Sequence, residues 1–528
     1  MHLSLLKRVW LSGLGQGVTL FFLGLITGLS LPPWGVWGLA WVGLAPVWFI
    51  ATVKTEYQDI GARFRQGFFA AGCWGLGFYG WGLAWITGLH PLMWMGLSPV
   101  QSLAVALGAW VAVTGWGVVL VGAWGGVLAI MTPWRKAWAW ELLLGIALWC
   151  LLEGIWTRSP LWWTSYALTQ SPGNLAILHW GQVSGPNTIC ALLLLVNGMI
   201  AGAWKQLWNH PKPLKLWLLP ILGWGIAQGI GWIWLQTPLT PDNQAPLTIG
   251  ILQGNIPTRI KLTPQGINQA LSRYTQGYQA LVQQGAEAVL TPEAAIPLVW
   301  PNPKLTELTQ VVGTENVPLW LGIFMPVTNR NNALTQSLIT LTGNTAPYSQ
   351  FNKIKLVPLG EYIPEFLQGV VSRLSTATSE LIPGRLDQQF ATPLGPGIIG
   401  ICFDSAFSYV FRDQAHLGGA WIMTVANNDP YDATMMRQHQ AQDILRAIET
   451  DRYALRATNT GLSGVTDPHG NTLWLSAYRQ EDRYLAHIYR RQTQTLYVRY
   501  GDWLTPMLLL CLGGMGLLQR SQSPGSRP

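Results

Sequence analysis

Seven runs of about twenty apolar residues lie almost end to end before residue 237, and one more stands near the C-terminus. A helix needs roughly 20 such residues to cross the hydrocarbon core of a bilayer, where every backbone polar group must be satisfied within the segment. The runs cover 10–31, 34–53, 67–89, 101–131, 137–155, 184–204, 216–236 and 503–519. The fourth is long enough to be tilted or broken. Charged residues make up only 11% of the 528, against about 25% in soluble proteins, so lipid must solvate much of the chain. Tryptophan agrees, since 26 of 31 fall before residue 240, where indoles can sit at membrane interfaces. With no small-residue cleavage site after it, the first run reads as a retained helix.

The net charge of +8 is spread through short loops and contains no long basic run, which argues for topology and against nucleic acid. With the N-terminus in the cytoplasm, Lys7, Arg8, Lys54, Arg63, Arg65, Arg135, Lys136, Lys205, Lys212, Lys215, Arg520 and Arg527 all fall on the cytoplasmic side. Only Arg158 falls in the opposite short loops, an asymmetry of twelve to one. The positive-inside rule then puts residues 237–502 outside the cytoplasm.

That segment has a different pattern. Branched residues mark strands at Leu247–Leu252, Ala288–Thr291, Leu319–Phe324, Ser337–Leu341, Ile398–Cys402 and Trp421–Val425. Helical periodicity covers Pro264–Gln284 and Thr434–Ala457. Alternating strands and helices with short connections predict a layered α/β domain, large enough for one core. The expected organisation is a seven-helix bundle over 1–236, a soluble domain over 237–502, and a last helix with a cytoplasmic tail over 503–528.

Cysteine usage narrows the chemistry. Cys73, Cys150, Cys190 and Cys511 lie in the expected spans, where a thiol reads as a small apolar filler. Cys402 is the one cysteine of the soluble segment. Outside the cytoplasm an unpaired thiol is either inert and buried or reactive. Gly400-Ile401-Cys402-Phe403-Asp404 follows apolar Ile398 and Ile399, which puts the sulfur at a strand end, where α/β sheets carry their sites.

A thiol nucleophile needs a base for its proton and a cation or hydrogen-bond donors for the oxyanion it creates. The loop from Leu290 to Pro297 presents Glu293 among apolar residues that would desolvate it, although a loop glutamate taken alone is commonly just hydrated. The stretch from Phe351 to Pro364 carries Lys353, Lys355 and Glu361, and its alternation fits an edge strand equally well.

Together these pieces resemble the Glu-Lys-Cys signature of the nitrilase, or carbon-nitrogen hydrolase, superfamily. Their flanks look specifically like the apolipoprotein N-acyltransferases: Pro292-Glu293, Asn352-Lys353 with Leu356-Val357-Pro358 and Gly360-Glu361, and Ile401-Cys402, in that order. The resemblance extends over essentially the whole chain, eight spans included. It implies a polytopic helical membrane domain joined to an extracytoplasmic α-β-β-α sandwich. It implies Cys402 as nucleophile, Glu293 as general base, Lys353 as oxyanion-stabilising cation and Glu361 as the carboxylate that holds the lysine. Phe403, Asn428 and Asp429, with Asn427, Gln438-His439 ahead of a helix and Arg456 to Gly461, would shape the pocket. The implied reaction moves an acyl chain from a phospholipid through a cysteine thioester to the diacylglyceryl-cysteine amino terminus of an apolipoprotein. No cofactor or metal is implied, and the enzyme would be a monomer of the inner membrane with its site on the periplasmic side. The chain departs from the family at Lys261-Leu262 and Pro430-Tyr431, where a tryptophan is usual, and at Asp404, where the family tends to carry glutamate.

Other patterns point elsewhere. Gly75-Leu76-Gly77-Phe78-Tyr79-Gly80 spells a dinucleotide fingerprint, yet it lies inside an apolar run and reads as close helix packing. The eight histidines show no paired metal-ligand spacing. Glu365 to Leu381 reads as a core helix or as a lid that dips into the headgroup layer. Glu141 and Glu153 in the fifth run read as an interfacial charge or a hydrogen-bonded helix contact. Two rival functions are a membrane-tethered amidase using the same residues and a lipid-binding or transport scaffold with a relic domain.

Overall fold

The apolar stretches form helices, and the stretch between the seventh and the eighth forms two β-sheets. The computed structural model describes residues 13–53, 59–92, 96–132, 138–209, 217–239, 245–328, 330, 332–343, 346–362 and 380–521. The chain folds as two compact units, one of Met1–Thr87, Val105–Gln236 and Asp502–Pro528, the other of Gly88–Ala104 and Thr237–Gly501.

Among the described residues, four helices are long and apolar enough to cross a membrane: Pro99–Met131, Trp138–Trp156, Pro186–Leu207 and Leu218–Leu235. Pro99–Met131 runs unbroken for 33 residues, so the fourth expected span is continuous and about 50 Å long. Shorter apolar helical stretches cover Gly13–Gly28, Trp37–Thr52 and Leu504–Leu518. The second expected span is two pieces, a 3-10 turn at Trp37–Trp41 and a helix at Ala45–Thr52 that restarts with Pro46 in its first turn. The third begins earlier than expected, at Ile60, because the Asp59 carboxylate accepts the Ala62 amide at 2.7 Å and caps the helix, which brings Arg63 and Arg65 onto it.

The glycine-rich run is a packing surface. A Cβ on Gly77 would lie 2.0 Å from the Phe21 carbonyl oxygen, and one on Gly24 would lie 2.0 Å from that of Trp74. Helices Gly13–Gly28 and Ile60–Gly82 therefore touch backbone to backbone, an approach only glycine permits. Cys190 does more than fill space, since its Sγ donates to Glu153 Oε2 at 3.0 Å. Glu141 is paired with Lys205 at 2.5 Å.

The second unit contains two sheets. In one, the strands that matter for the site are β1 Leu247–Gln253, β2 Ala288–Leu290, β3 Leu319–Pro326, β4 Ala333–Leu341 and β5 Ser349–Asn352. In the other sheet they are β8 Gly395–Ile401, β9 Ile422–Ala426 and β10 Ala454–Thr458. With β6 at Glu380–Leu381, β7 at Phe390–Thr392, β11 at Gly464–Thr466, β12 at Thr472–Leu475 and β13 at Asp482–Ile488, the orders are β13-β1-β2-β3-β4-β5, with β6 paired to β4, and β12-β11-β10-β9-β8-β7. β1, β2 and β3 run parallel, as do β8, β9 and β10.

Alternation along β3 shows the layering. Leu319, Leu321 and Ile323 pack with Tyr274, Tyr278 and Leu281 of the Pro264–Gln283 helix and with Leu308 and Val312 of the Thr306–Glu315 helix. Trp320, on the opposite face, meets Trp421 just before β9 with ring centroids 6.3 Å apart. Gln253 of β1 reaches the other sheet, its Oε1 accepting from Thr458, Ser463 and Ser476. Each fully buried Leu or Ile of this core contributes about 1.5–3 kcal/mol, and the two sheets face each other with helices outside, the expected α-β-β-α arrangement.

The expected helix over Thr434–Ala457 is too long. It spans Ala433–Thr450 and ends where Asp451 takes φ +55, after which Ala454–Thr458 is the buried strand β10. Gln438 and His439 lie within this helix, not ahead of it. Of the expected lid or core helix over Glu365–Leu381, only Glu380 and Leu381, which form β6, are among the described residues.

Candidate active site

Parallel strands present their C-terminal ends on one edge of a sheet, and chemistry collects there because loops can leave the hydrogen-bonded ladder at that point. Cys402 follows β8 directly, Asn427 follows β9, and Glu293 stands three residues beyond β2.

Close packing builds the Glu293 loop. Thr291 Oγ1 donates to the Trp320 carbonyl and accepts the Gly322 amide, both at 3.0 Å. Gly322 has no alternative here, since a Cβ would lie 2.0 Å from the Pro292 oxygen. Ala294 then takes φ +43, and Glu293 turns inward. One carboxylate oxygen accepts Lys353 Nζ at 2.8 Å and the other accepts the Asn427 amide at 2.8 Å.

Lys353 leaves the end of β5, with its own amide donated to the Gln336 carbonyl at 2.8 Å. Its buried ammonium also reaches Glu361 Oε1 at 2.5 Å, while Glu361 Oε2 accepts the Val357 amide at 2.8 Å. Burial works to lower the lysine pKa, but Glu293 and Glu361 outweigh it and hold the group well above its usual range. Burial pushes the Glu361 carboxyl up, opposed by Lys353. The site therefore keeps a permanent cation between two carboxyl groups.

Cys402 is buried and has φ +52, in the left-handed region that a non-glycine residue seldom occupies. Burial raises its thiol pKa well above the usual range; the negative charge of Glu293 adds to this and Lys353 opposes it. The resting sulfur is thus protonated, and it reacts only if its proton has somewhere to go. Asp404 joins the cysteine turn to the lysine loop: Oδ2 accepts the Ile401 amide at 3.0 Å and Oδ1 accepts the Lys355 amide at 2.7 Å. Burial pushes this carboxyl up to about 7.

The supporting residues have separate positions. Phe403 is buried edge-on against Phe407 at 5.1 Å. Asn428 is buried and meets His439, whereas Asp429 Oδ2 accepts the Thr258 amide at 2.6 Å. Where the family usually carries tryptophan, Leu262 is 69% exposed, while Lys261 is buried with Nζ 3.4 Å from the Glu293 carbonyl oxygen. Burial lowers the Lys261 pKa to about 8, opposed by Glu293 and Asp429. Tyr431 is an electrostatic neighbour of Cys402, and burial raises its hydroxyl pKa.

Sequence reasoning names Asn427 and His439 only as pocket residues and gives Lys261 no role, so the contacts these three make are missed. The Asn427 amide holds Glu293 through the backbone, so no side-chain signal could identify it. Lys261 carries a weak one, an ammonium between Ile260 and Leu262. His439 reads from the sequence only as a pocket residue, yet its Nε2 lies 2.9 Å from the Cys402 carbonyl oxygen.

Comparison with known proteins identifies the family. Residues 23–199 match the apolipoprotein N-acyltransferase N-terminal domain family and residues 248–496 match the carbon-nitrogen hydrolase family. The chain is similar to the apolipoprotein N-acyltransferase of Thermosynechococcus vestitus, 46% identical over 512 residues that cover 97% of this chain and 96% of that one. It is 44% identical over 495 residues to that of a Nostoc species, covering 91% and 95% of the two chains. With that of a Synechocystis species it shares 40% identity over 513 residues, covering 92% and 96%.

Proposed function

The chain belongs to the apolipoprotein N-acyltransferase family, and from that premise we propose that it moves a fatty acyl group from a membrane phospholipid to a lipoprotein's diacylglyceryl-cysteine, by way of a thioester on Cys402. It is an acyltransferase with a carbon-nitrogen hydrolase catalytic domain. The observation that carries the thioester reading is the buried Lys353 ammonium shared by Glu293 and Glu361 beside a buried Cys402.

In the first half-reaction Glu293 takes the thiol proton and the sulfur attacks the ester carbonyl of the phospholipid. Lys353 faces the negative charge that develops on the carbonyl oxygen. Collapse of the tetrahedral species breaks the ester C–O bond, and the lysophospholipid leaves with the proton that Glu293 held. In the second half-reaction the α-amino group of the lipoprotein attacks the thioester, an amide forms, and the amine proton returns to the sulfur by way of Glu293. Glu361 holds Lys353 in place throughout. Phe403, Asn428 and Asp429 shape the surroundings of the nucleophile.

A lipid-borne reaction explains the apolar half of the chain. Moving an acyl chain out of the bilayer costs about 0.8 kcal/mol per CH2, so the catalyst gains by residing where its substrates are. We assign eight spans to the bilayer, seven within 1–236 and the last within 503–528, with 237–502 as the catalytic domain. The twelve-to-one distribution of basic residues supports a cytoplasmic N-terminus and a periplasmic catalytic domain in the inner membrane. The protein acts as a monomer without a cofactor or nucleic acid.

Intact-mass spectrometry after incubation with a labelled-acyl phospholipid tests the mechanism. Wild type should gain one acyl mass, lose it on addition of a diacylglyceryl peptide, and show ping-pong kinetics, whereas Cys402→Ala should gain none. Hydrolysis of soluble amides without any acyl adduct would turn the reading into that of an amidase.

A further inference from the structure

The nucleophile's backbone needs support. A non-glycine residue at φ +52 sits in a sparsely populated conformation, which persists only where surrounding contacts over-determine it. One such contact reaches Cys402 from a different element. His439, fully buried on the Ala433–Thr450 helix, has Nε2 2.9 Å from the Cys402 carbonyl oxygen.

The protonation of the ring follows from its neighbours. A carbonyl oxygen only accepts, so Nε2 must carry the hydrogen. Burial, reinforced by the Arg456 charge and opposed by Asp443, lowers the ring pKa to about 3. The imidazole is therefore neutral, and Nδ1 is an acceptor. Asn428 supplies the matching donor, with Nδ2 3.1 Å from Nδ1 and 3.2 Å from Met435 Sδ. The amide orientation is set from its other end, where Oδ1 accepts Arg456 Nη2 at 3.4 Å. Arg456 is anchored in turn by the Asp443 carboxylate and by the Leu462 carbonyl at 3.0 Å. Asp443 also accepts the Thr424 hydroxyl at 2.7 Å. A chain of polar contacts thus runs from strands β9 and β10 through the helix to the backbone of the nucleophile.

We propose that His439 is a positioning residue for the acyl transfer: its neutral N–H holds the Cys402 carbonyl, keeping the nucleophile in its left-handed conformation, while Asn428 and Arg456 fix the tautomer that makes this possible. The peptide after Cys402 is planar, so fixing its carbonyl also fixes the direction of the Phe403 N–H and limits where the sulfur can point. The proposal rests on the thioester reading of Cys402.

The test is the single-turnover rate of acyl-adduct formation per folded molecule, with a fluorescent-acyl phospholipid in detergent micelles as probe. It compares full-length wild type, H439L, H439Q, N428A and C402A. H439L keeps the volume and loses the donor, and a displacement of about 1 Å at the nucleophile corresponds to a fall of roughly 100-fold. H439Q retains an N–H that can reach the same carbonyl and should recover most of that loss. N428A leaves the ring in place but unties its tautomer, so its rate should fall between the two. If H439L does not fold, H439Q and N428A still decide, since the proposal requires N428A to be the slower. Wild-type rates in H439L or N428A, or equal slowing in H439L and H439Q, overturn the positioning role while an absent C402A adduct leaves the thioester reading intact. An adduct that persists in C402A overturns the thioester reading, and the positioning role with it.

Discussion

Two glutamates are almost equally hidden from solvent, Glu153 at 2% exposure among the apolar helices and Glu293 at 3% between two sheets. They are satisfied in opposite ways. Glu153 accepts from the Trp149 indole at 3.0 Å, the Tyr166 amide at 2.8 Å and the Cys190 thiol at 3.0 Å, none of them charged. Glu293 accepts one backbone amide and an ammonium that a second carboxylate also claims. Neutral donors can satisfy the oxygens of a buried carboxyl group and so tie helices together. A buried ammonium with two carboxylates is an expensive arrangement as architecture and a useful one for the proposed chemistry, which needs fixed charges to handle a proton and an oxyanion. Burial of a carboxylate therefore does not by itself mark a site; what sets Glu293 apart is a single ammonium that it shares with a second carboxylate.

The comparison breaks first at Glu293. Glu293→Gln keeps the shape and removes the proposed base, so turnover should fall roughly 100- to 10,000-fold with folding retained, measured as lipoprotein acylation at saturating phospholipid. Retained turnover would put Glu293 in the same structural class as Glu153.

Lys353→Met leaves both carboxylates without their cation. Losing one partner of a buried ion pair costs about 3–5 kcal/mol, so this variant should lose both activity and stability in denaturant titrations of the full chain in detergent. A variant as stable as wild type would mean that the pair contributes nothing to the fold.

Gly322→Ala sharpens the geometric half of the comparison. Its methyl group would collide with the Pro292 oxygen, at an overpacking cost of about 1–3 kcal/mol, and should displace Glu293 from Lys353. Acylation should slow more than stability alone accounts for, which rates per folded molecule would reveal.

For Glu153→Gln the effect should fall on stability alone. One oxygen that accepted a hydrogen bond becomes a donor facing donors, a change worth about 1–3 kcal/mol, while turnover per folded molecule stays unchanged. A catalytic defect in the folded protein would show that the membrane-unit carboxylate does more than join helices.

The last effect concerns pH. The His439 pKa is lowered from 6.5 to about 3 in the folded protein by burial and by Arg456, so below 6.5 the unfolded chain binds a proton that the folded chain does not. This contribution to stability is fully present above 6.5 and is lost as pH falls towards about 3. His439→Gln should flatten the acid side of the stability profile, measured by thermal unfolding between those limits. An unchanged slope would contradict a buried, neutral ring.

Much of this was legible in the residues. The length of the apolar runs located the long apolar helices, and branched runs located β1, β3 and β9 within a residue or two of their ends and β8 within three, because both signals are local. Helix limits were less legible. Thr434–Ala457 kept a helical pattern through Arg456, and only packing shows that the chain reverses at Asp451 so that Arg456 can enter the second sheet and meet Asp443. The short strands β5 and β7, with few branched residues, carried no comparable signal.

The candidate nucleophile, base and cation could be named because only certain side chains can do such chemistry, and few of them stand in the soluble segment. Their order along the chain was enough to suggest the family. By itself the sequence determined that much of the chain is lipid-solvated, that the rest is a layered α/β domain, and that Cys402, Glu293 and Lys353 were the residues to examine. Tertiary structure alone decided that one ammonium serves two carboxylates, that Asp404 joins the cysteine turn to the lysine loop, and that a histidine on a helix holds the Cys402 backbone. The reason is physical. Solvation and periodicity act residue by residue along the chain, whereas a backbone amide or carbonyl has no identity in a sequence until folding brings it to its partner.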